Sequence, residues 1–154
     1  MGRTLPKKIR ELVYKKYDGH CAYCGCELQY KDMQVDHIKS VYLHNDYHKD
    51  MTEEELNQID NLMPACRMCN FYKSEGDIEH LRKRLTDTLM KNIRKSFDYR
   101  LALKYNLIKE NIHPIVFYFE QQVIFKDINK SLEKLANVLN NQKGLSDEQT
   151  FIEV

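Results

Sequence analysis

The chain has 154 residues, of which 42% are hydrophobic and 31% charged, and its formal net charge is +1. This length allows one domain, or a small module with helical extensions, and no apolar run is long enough to span a bilayer. No secretory signal opens the chain, so a reducing, cytoplasmic setting is expected. Lys, Asn and Ile are abundant, which fits an AT-rich genome and a bacterial or phage-infected cell.

Charge is unevenly distributed along the sequence. Residues 1–16 carry six Lys and Arg against one acid, and residues 81–100 carry seven against two. Residues 46–60 instead carry six acids against one lysine. Segregated basic segments can follow a phosphate backbone, although each could equally be a solvated helix face. Arg82 and Lys83, from the second basic segment, are predicted nucleic-acid contacts.

In chain order, the first predicted element is a short basic helix that starts near Thr4 and ends at Asp18-Gly19. Residues 28–38 read as a hairpin, with alternate side chains on opposite faces. Residues 39–51 read as a loop. Thr52 to Glu55 form a capping-box pattern that begins a short helix to about residue 59.

The second half of the chain reads as mostly helical. Residues 74–77 begin a helix that runs to about Tyr105, with a break near Ser96. Residues 114–119 read as a buried strand, although periodicity does not exclude a helix there. A last amphipathic helix carries the apolar residues Ile128, Leu132, Leu135, Val138 and Leu139. The predicted organisation is a core over 1–75, a helical extension over 76–143 and a loose tail over 144–154.

The chain contains two cysteine pairs, Cys21-Ala-Tyr-Cys24 and Cys66-Arg-Met-Cys69, separated by 41 residues. Two such knuckles supply the four thiolates of a closed tetrahedral zinc site. A redox pair or structural disulfides are the alternatives, and both are disfavoured by the doubled spacing and the expected reducing compartment. Cys26 is left over. It is expected to be a free thiol beside the site, or a ligand if Cys24 is not one.

Between and beside the cysteine pairs lie Val35-Asp36-His37-Ile38, Asn61-Leu62 and, directly after the second pair, Asn70 followed by Lys73. With the knuckles, this constellation resembles the HNH endonucleases, the ββα-metal nucleases, in the branch with a four-cysteine zinc site. The resemblance covers residues 20–73. It implies an α+β fold in which a small zinc-stapled ββα core is flanked by helices and followed by a mostly helical extension.

The resemblance also implies a role for each matched residue. His37 would be the general base that takes a proton from water, and a neutral imidazole has a pKa suited to that work. Asp36 and Asn70 would bind a single Mg²⁺ or Mn²⁺ through oxygen. Asn61 would hold the His37 ring through a hydrogen bond. Lys73 could contact a phosphate, or be an ordinary surface lysine.

Other interpretations of these residues stay open. Asn61 could cap a turn, and Asn70 could cap the helix that follows it, with or without binding a metal. His44 and His48 are spaced four residues apart and could form a metal pair on a helix, although their surroundings read as loop. The long acidic stretch between His37 and Asn61 could repel DNA, gate its approach or bind a partner.

The function implied is metal-dependent hydrolysis of DNA, leaving a 5′ phosphate and a 3′ hydroxyl, with a monomer producing nicks. A homodimer or another protein partner could form through the C-terminal helices, and no membrane partner is expected. The alternatives are a non-catalytic, zinc-scaffolded module for DNA binding or assembly, and an RNA-cleaving relative of the same fold.

Overall fold

The computed structural model of the chain describes residues 5–41 and 51–148. Its helices are α1 (Lys7–Lys15), α2 (Glu53–Leu56), α3 (Arg67–Lys73), α4 (Ile78–Lys83), α5 (Met90–Lys95), α6 (Phe97–Lys104) and α7 (Tyr118–Glu148), and its strands are β1 (Gln34–His37) and β2 (Leu62–Ala65). The fold is α+β, as predicted. It divides into two compact units, Met1–Tyr118 and Phe119–Val154.

The two strands form an antiparallel sheet whose partners are far apart in sequence. Gln34 pairs with Ala65 and His37 with Leu62. The hairpin predicted over 28–38 is therefore wrong, because β1 pairs with a strand that begins 25 residues after β1 ends. All four residues of β2 are buried, and α3 follows directly, so the order strand, strand, helix of a ββα unit is present.

Helix α1 supports this unit from its amino-terminal side. Val13 is its fully buried residue. Just after the helix, the Lys16 ammonium donates to the carbonyls of Ile59 and Leu62, both at 3.0 Å, and burial lowers the Lys16 pKa. Lys16 thus satisfies backbone acceptors where the chain enters β2. Helix α1 ends at Lys15, three residues before the predicted end at Asp18-Gly19, and left-handed backbone at Asp18 (φ 49°) and Gly19 (φ 72°) then turns the chain.

The region after α3 is helical with the predicted break. A π-helical segment, Arg84–Leu89, joins α4 to α5, and Ser96 interrupts the run with extended backbone. The Ser96 side chain then caps α6 by accepting from the Tyr99 amide. The short helix after Thr52 is also confirmed, with both hydrogen bonds of its capping box formed.

Residues 114–119 are not a strand. Residues 111–117 have no regular structure, and α7 begins at Tyr118. Phe117 is buried there and packs edge-on against Tyr23, with ring centroids 5.7 Å apart, so aromatic packing rather than sheet pairing explains this apolar run. Helix α7 continues to Glu148, so residues 144–148 are helical rather than a loose tail.

Several predictions fall on residues that the structure does not describe. These are the Thr4 cap, most of the acidic stretch before residue 51 with His44 and His48, and the last six residues. Within the described ranges, no helix has the length and apolar character that crossing a membrane requires.

Candidate catalytic and metal site

Cysteine side chains converge where the first knuckle meets the entry to α3. The sulfur atoms of Cys21, Cys24, Cys26 and Cys66 all lie within 4.8 Å of one another. Three of these are predicted ligands and the other is Cys26. Cys69, the remaining predicted ligand, is not one of these four, although its thiol is the largest influence on the pKa of Cys21. Four thiols therefore form one cluster, and with Cys69 this part of the chain offers one thiol more than a tetrahedral ion needs.

Backbone amides and neighbouring thiols prepare this cluster for a cation. The Cys66 amide donates to the Cys21 sulfur at 3.3 Å, and the Cys69 amide donates to the Cys66 sulfur at 3.4 Å. The Cys69 hydrogen bond is the largest contribution that lowers the pKa of Cys21 to about 4, and the same contact raises the pKa of Cys69. A thiolate supported by amides is the ligand form that zinc takes, so this donor set fits zinc.

Asp36 of β1 is buried, and two side chains hold its carboxylate. The Tyr23 hydroxyl, from between the two cysteines of the first knuckle, donates to Asp36 Oδ2. The Lys73 ammonium lies 3.1 Å from the same oxygen and 3.3 Å from Oδ1. Lys73 also donates to the carbonyl of His37 at 2.9 Å. The carboxylate is thus tied both to the zinc knuckle and to α3.

The ring of His37 contacts the residue that follows α2. Its Nε2 is 2.9 Å from Oδ1 of Asn57. The amide nitrogen of Asn57 donates to the carbonyl of Glu53 at 2.9 Å, which turns the amide oxygen toward the ring. An amide oxygen can only accept a hydrogen bond, so Nε2 carries the hydrogen, and in the neutral ring Nδ1 keeps its lone pair.

The prediction that Asn61 holds the His37 ring is wrong. The Asn61 amide instead clamps the chain just after β1: its oxygen accepts from the Lys39 amide at 2.8 Å, and its nitrogen donates to the carbonyls of Lys39 and Leu56 at 3.0 and 2.7 Å. With these bonds made, Asn57 is the side chain that contacts the ring. Asn61 fixes where β1 ends, so its effect on His37 passes through the backbone.

Asn70 lies on α3 and faces β1, the strand that carries Asp36. Its amide nitrogen donates to Oε1 of Gln34 at 2.6 Å. It does not cap α3, because Cys66 is the capping residue. Asp36, His37 and Asn70 all line one open cleft, together with Asn57. Carboxylate and amide oxygens in such a cleft are the donors that Mg²⁺ or Mn²⁺ prefers, so the residues present fit that class of ion.

Two of the predicted nucleic-acid contacts have structural partners instead. Lys73 is completely buried in its ion pair with Asp36, so it is not a surface lysine. Arg82 stacks 4.6 Å from the centre of the Phe117 ring, pairs with Glu79 and donates to the carbonyl of Ile115. Its guanidinium thus holds the segment before α7. Lys83 is exposed and stays a predicted contact.

The cleft contains two cations that the sequence did not single out. Arg10 of α1 and Arg84 of the π-helical segment both line it, and each comes from one of the two basic segments. Arg10 donates to the Met33 carbonyl at 2.9 Å, and Arg84 stacks 4.5 Å from the Tyr72 ring. Acidic residues Glu53, Glu54 and Glu75 line the cleft as well. The basic segments were visible in the sequence, but only the fold shows which member of each reaches the site.

Comparison with known proteins assigns this part of the chain to a family. Residues 21–76 match the family model described as HNH endonuclease, so they form an HNH endonuclease domain and the resemblance is confirmed. The SPbeta prophage-derived protein YoqL of Bacillus subtilis (strain 168), provisionally named an HNH endonuclease, is 32% identical over 67 residues. That alignment spans 41% of this chain and 26% of YoqL.

A solved structure is also similar. The Type II-C Cas9 enzyme from Actinomyces naeslundii aligns with 67% of this chain and 13% of its own, at 18% identity and a TM-score of 0.41. The chain thus spans only a small part of either relative.

Proposed function

We propose that this chain is a metal-dependent endonuclease that hydrolyses phosphodiester bonds in DNA. The observation that carries the proposal is the position of His37, whose ring is oriented by Asn57 in the same cleft as Asp36 and Asn70. A non-catalytic zinc module has no need of an oriented imidazole beside a cluster of oxygen donors. The HNH domain of residues 21–76 supports the proposal.

His37 acts as the general base. Because Asn57 accepts from Nε2–H, Nδ1 can take a proton from a water molecule in the cleft. The resulting hydroxide attacks phosphorus, the bond from phosphorus to the 3′ oxygen breaks, and the 3′ oxygen takes a proton from solvent water. The products are a 5′ phosphate and a 3′ hydroxyl. A neutral histidine suits this step near neutral pH.

Asp36 and Asn70 would hold the divalent ion, Mg²⁺ or Mn²⁺. When bound, that ion offsets charge on the phosphate and assists the leaving oxygen. Asp36 has its position set by Tyr23 and Lys73, and Asn70 has its amide set by Gln34. The Lys73 ammonium stays with the carboxylate and limits the negative charge there, which predicts weak rather than tight binding of the ion.

Zinc would be held by Cys21, Cys24, Cys66 and Cys69, with Cys26 as the extra thiol. Its role is structural, since the site is closed by sulfur. Through Tyr23, the first knuckle contacts the Asp36 carboxylate directly, and Cys66 begins the helix that carries Asn70 and Lys73. Loss of zinc should therefore displace the catalytic groups as well as the knuckles.

DNA is proposed as the substrate because cations flank the cleft. Arg10 and Arg84 come from elements that precede and follow the ββα unit in the chain, and both line the cleft. Phosphate contacts by such cations supply sequence-independent affinity. The glutamates of α2 in the same cleft would restrict how a polyanion approaches. We propose that they keep the phosphate backbone away from the part of the cleft that α2 lines.

The test uses supercoiled plasmid with Mg²⁺ or Mn²⁺, followed by treatment of the nicked product with DNA ligase. Ligase reseals only a 5′ phosphate beside a 3′ hydroxyl, so the expected result is nicked circles that reseal without further processing. Nicks that resist ligase would contradict the proposed bond cleavage. DNA that is bound and never cut would favour the non-catalytic module, and cleavage confined to RNA would favour the RNA-cleaving alternative.

A further inference from the structure

Phe71 of α3 is a large apolar side chain that folding leaves in solvent. It is 83% exposed, and it directly follows Asn70 in the lining of the cleft. Single exposed apolar residues are common on protein surfaces and need no explanation by themselves. Phe71 differs because, among the exposed large apolar side chains that the structure describes, it is the one that lines this cleft. Its exposure at this position indicates a role in binding rather than in folding.

The helix that carries Phe71 also supports a cation of the cleft. The Arg84 guanidinium stacks 4.5 Å from the centre of the Tyr72 ring, and the Tyr72 hydroxyl donates to the Arg84 carbonyl at 3.2 Å. Three consecutive residues of α3 therefore have three separate tasks. Asn70 is the proposed metal ligand, Phe71 presents an exposed ring, and Tyr72 holds an arginine that lines the same cleft.

A nucleotide offers both chemical groups that this arrangement complements. Its phosphate is an anion for Arg84, and its base has a flat face on which an aromatic ring such as Phe71 can stack. A base meets that ring only after it leaves its own stack, which costs least where the base is unpaired. The lining residues nearest to Phe71 in the chain, Asn70, Ser74 and Glu75, are polar, so the cleft lacks the apolar surround that suits a side chain of a protein partner.

We propose that Phe71 is a specificity-determining residue of the DNA site, and that its ring stacks on a nucleobase beside the phosphate that is cut. The site then prefers nucleotides that are unpaired or easily unstacked over regular duplex. This inference rests on the proposed function for its substrate, but it concerns binding, which can be measured without cleavage. Stacking by an uncharged ring releases no counterions, so the contribution of Phe71 to affinity should be independent of salt, unlike that of Arg84.

The experiment measures binding by fluorescence anisotropy at several salt concentrations. The probes are a short labelled DNA duplex with one unpaired nucleotide and the fully paired duplex of otherwise the same sequence. The zinc-loaded full chain is used without Mg²⁺ or Mn²⁺, so that the DNA is not cut. Phe71→Ala removes the ring, Phe71→Leu keeps an apolar side chain that cannot stack, and Phe71→Tyr keeps a ring. The matched control is Phe97→Ala, because Phe97 is 68% exposed and lies outside the cleft lining.

The wild-type chain is expected to bind the probe with the unpaired nucleotide about tenfold more tightly than the paired duplex. Phe71→Ala and Phe71→Leu should lose this preference while the slope of log affinity against log salt concentration stays unchanged. Phe71→Tyr and Phe97→Ala should bind as the wild-type chain does.

Three results would overturn the assignment of Phe71 and leave the nuclease proposal intact. These are equal binding of both probes by the wild-type chain, a preference that survives in Phe71→Ala or Phe71→Leu, and a preference that Phe97→Ala also abolishes. A wild-type chain that binds neither probe would overturn the proposed DNA site together with the role of Phe71.

Discussion

At the scale of single residues, the orientation of His37 depends on a side chain from a different element. Asn57 follows α2, and its amide is turned by the Glu53 carbonyl so that its oxygen faces the ring. An asparagine was predicted as the hydrogen-bond partner of this histidine, but the predicted residue was Asn61 rather than Asn57. Both asparagines lie close to β1 in space, and sequence spacing does not report which amide is already occupied by backbone groups.

Replacing Asn57 with alanine should lower the nicking rate about tenfold or more, because the ring loses the acceptor that fixes its tautomer. Asn57→Asp should retain most of the activity, since a carboxylate oxygen also accepts from Nε2–H. Ring nitrogen chemical shifts measured by NMR report the tautomer of His37 independently of turnover. An Asn57→Ala protein with the wild-type tautomer and rate would show that this hydrogen bond has no orienting role.

The buried Lys73–Asp36 pair is a second residue-scale feature that sequence reasoning missed. Lysine is rarely buried, so a lysine at the end of a short helix reads as a surface residue. Here α3 packs against β1, and the ammonium reaches both the carboxylate and the His37 carbonyl. The pairing satisfies all three groups within a unit that has little apolar core of its own.

Lys73→Met should reduce the free energy of unfolding by about 3 kcal/mol, because it leaves a buried carboxylate without its cation. The matched control is Lys83→Met, which removes an exposed charge and should change stability by less than about 0.5 kcal/mol. Urea titration of the zinc-loaded proteins measures both values. Equal stabilities for the two variants would mean that the pair is not formed in solution.

At the scale of elements, the sequence predicted helices well and the sheet poorly. The capping box at Thr52 and the break at Ser96 are local signals, and both are confirmed. Strand β2 contains Pro64, a residue that argues against a central strand, so its pairing with Val35 was not foreseen. A two-stranded sheet consists only of edges, where a proline is tolerated.

The chain offers five cysteines near the zinc site, one more than a tetrahedral ion needs. Substitution can therefore show which four of them bind zinc. Cys69 belongs to the second knuckle, and its thiol lowers the pKa of Cys21. Cys69→Ser should therefore lose the bound ion, while Cys26→Ser should keep about one zinc per chain. Metal analysis of the purified proteins measures this.

The opposite pattern, with zinc lost only from Cys26→Ser, would make Cys26 the fourth ligand. Chelation of the wild-type protein supplies the reference for complete loss. It should also abolish the cooperative unfolding transition, since a structural zinc site contributes directly to folding.

At the scale of the whole molecule, each of the two basic segments contributes one arginine to the lining of the cleft. Their charge was evident in the sequence, but which side chains face the site depends on how α1 and the π-helical segment pack around the ββα unit. Arg82 and Arg84 illustrate this. They are two residues apart, yet Arg82 holds Phe117 while Arg84 lines the cleft.

Arg84→Gln should weaken DNA binding for all sequences alike and reduce the slope of log affinity against log salt concentration by about one. Lys104→Gln, on an exposed position of α6 outside the cleft lining, should change neither quantity. Fluorescence anisotropy at several salt concentrations measures both. Equal slopes for the two variants would show that Arg84 does not contact the phosphate backbone.

The central claim is that an oriented imidazole in the HNH domain performs the chemistry, and comparing plasmid nicking by the wild-type chain and by His37→Ala tests it most directly. Both proteins are first shown to be folded and to carry the same zinc content. The wild-type chain is expected to nick with Mg²⁺ or Mn²⁺, and His37→Ala to be slower by about a hundredfold or more. Equal rates for the two proteins would contradict the account.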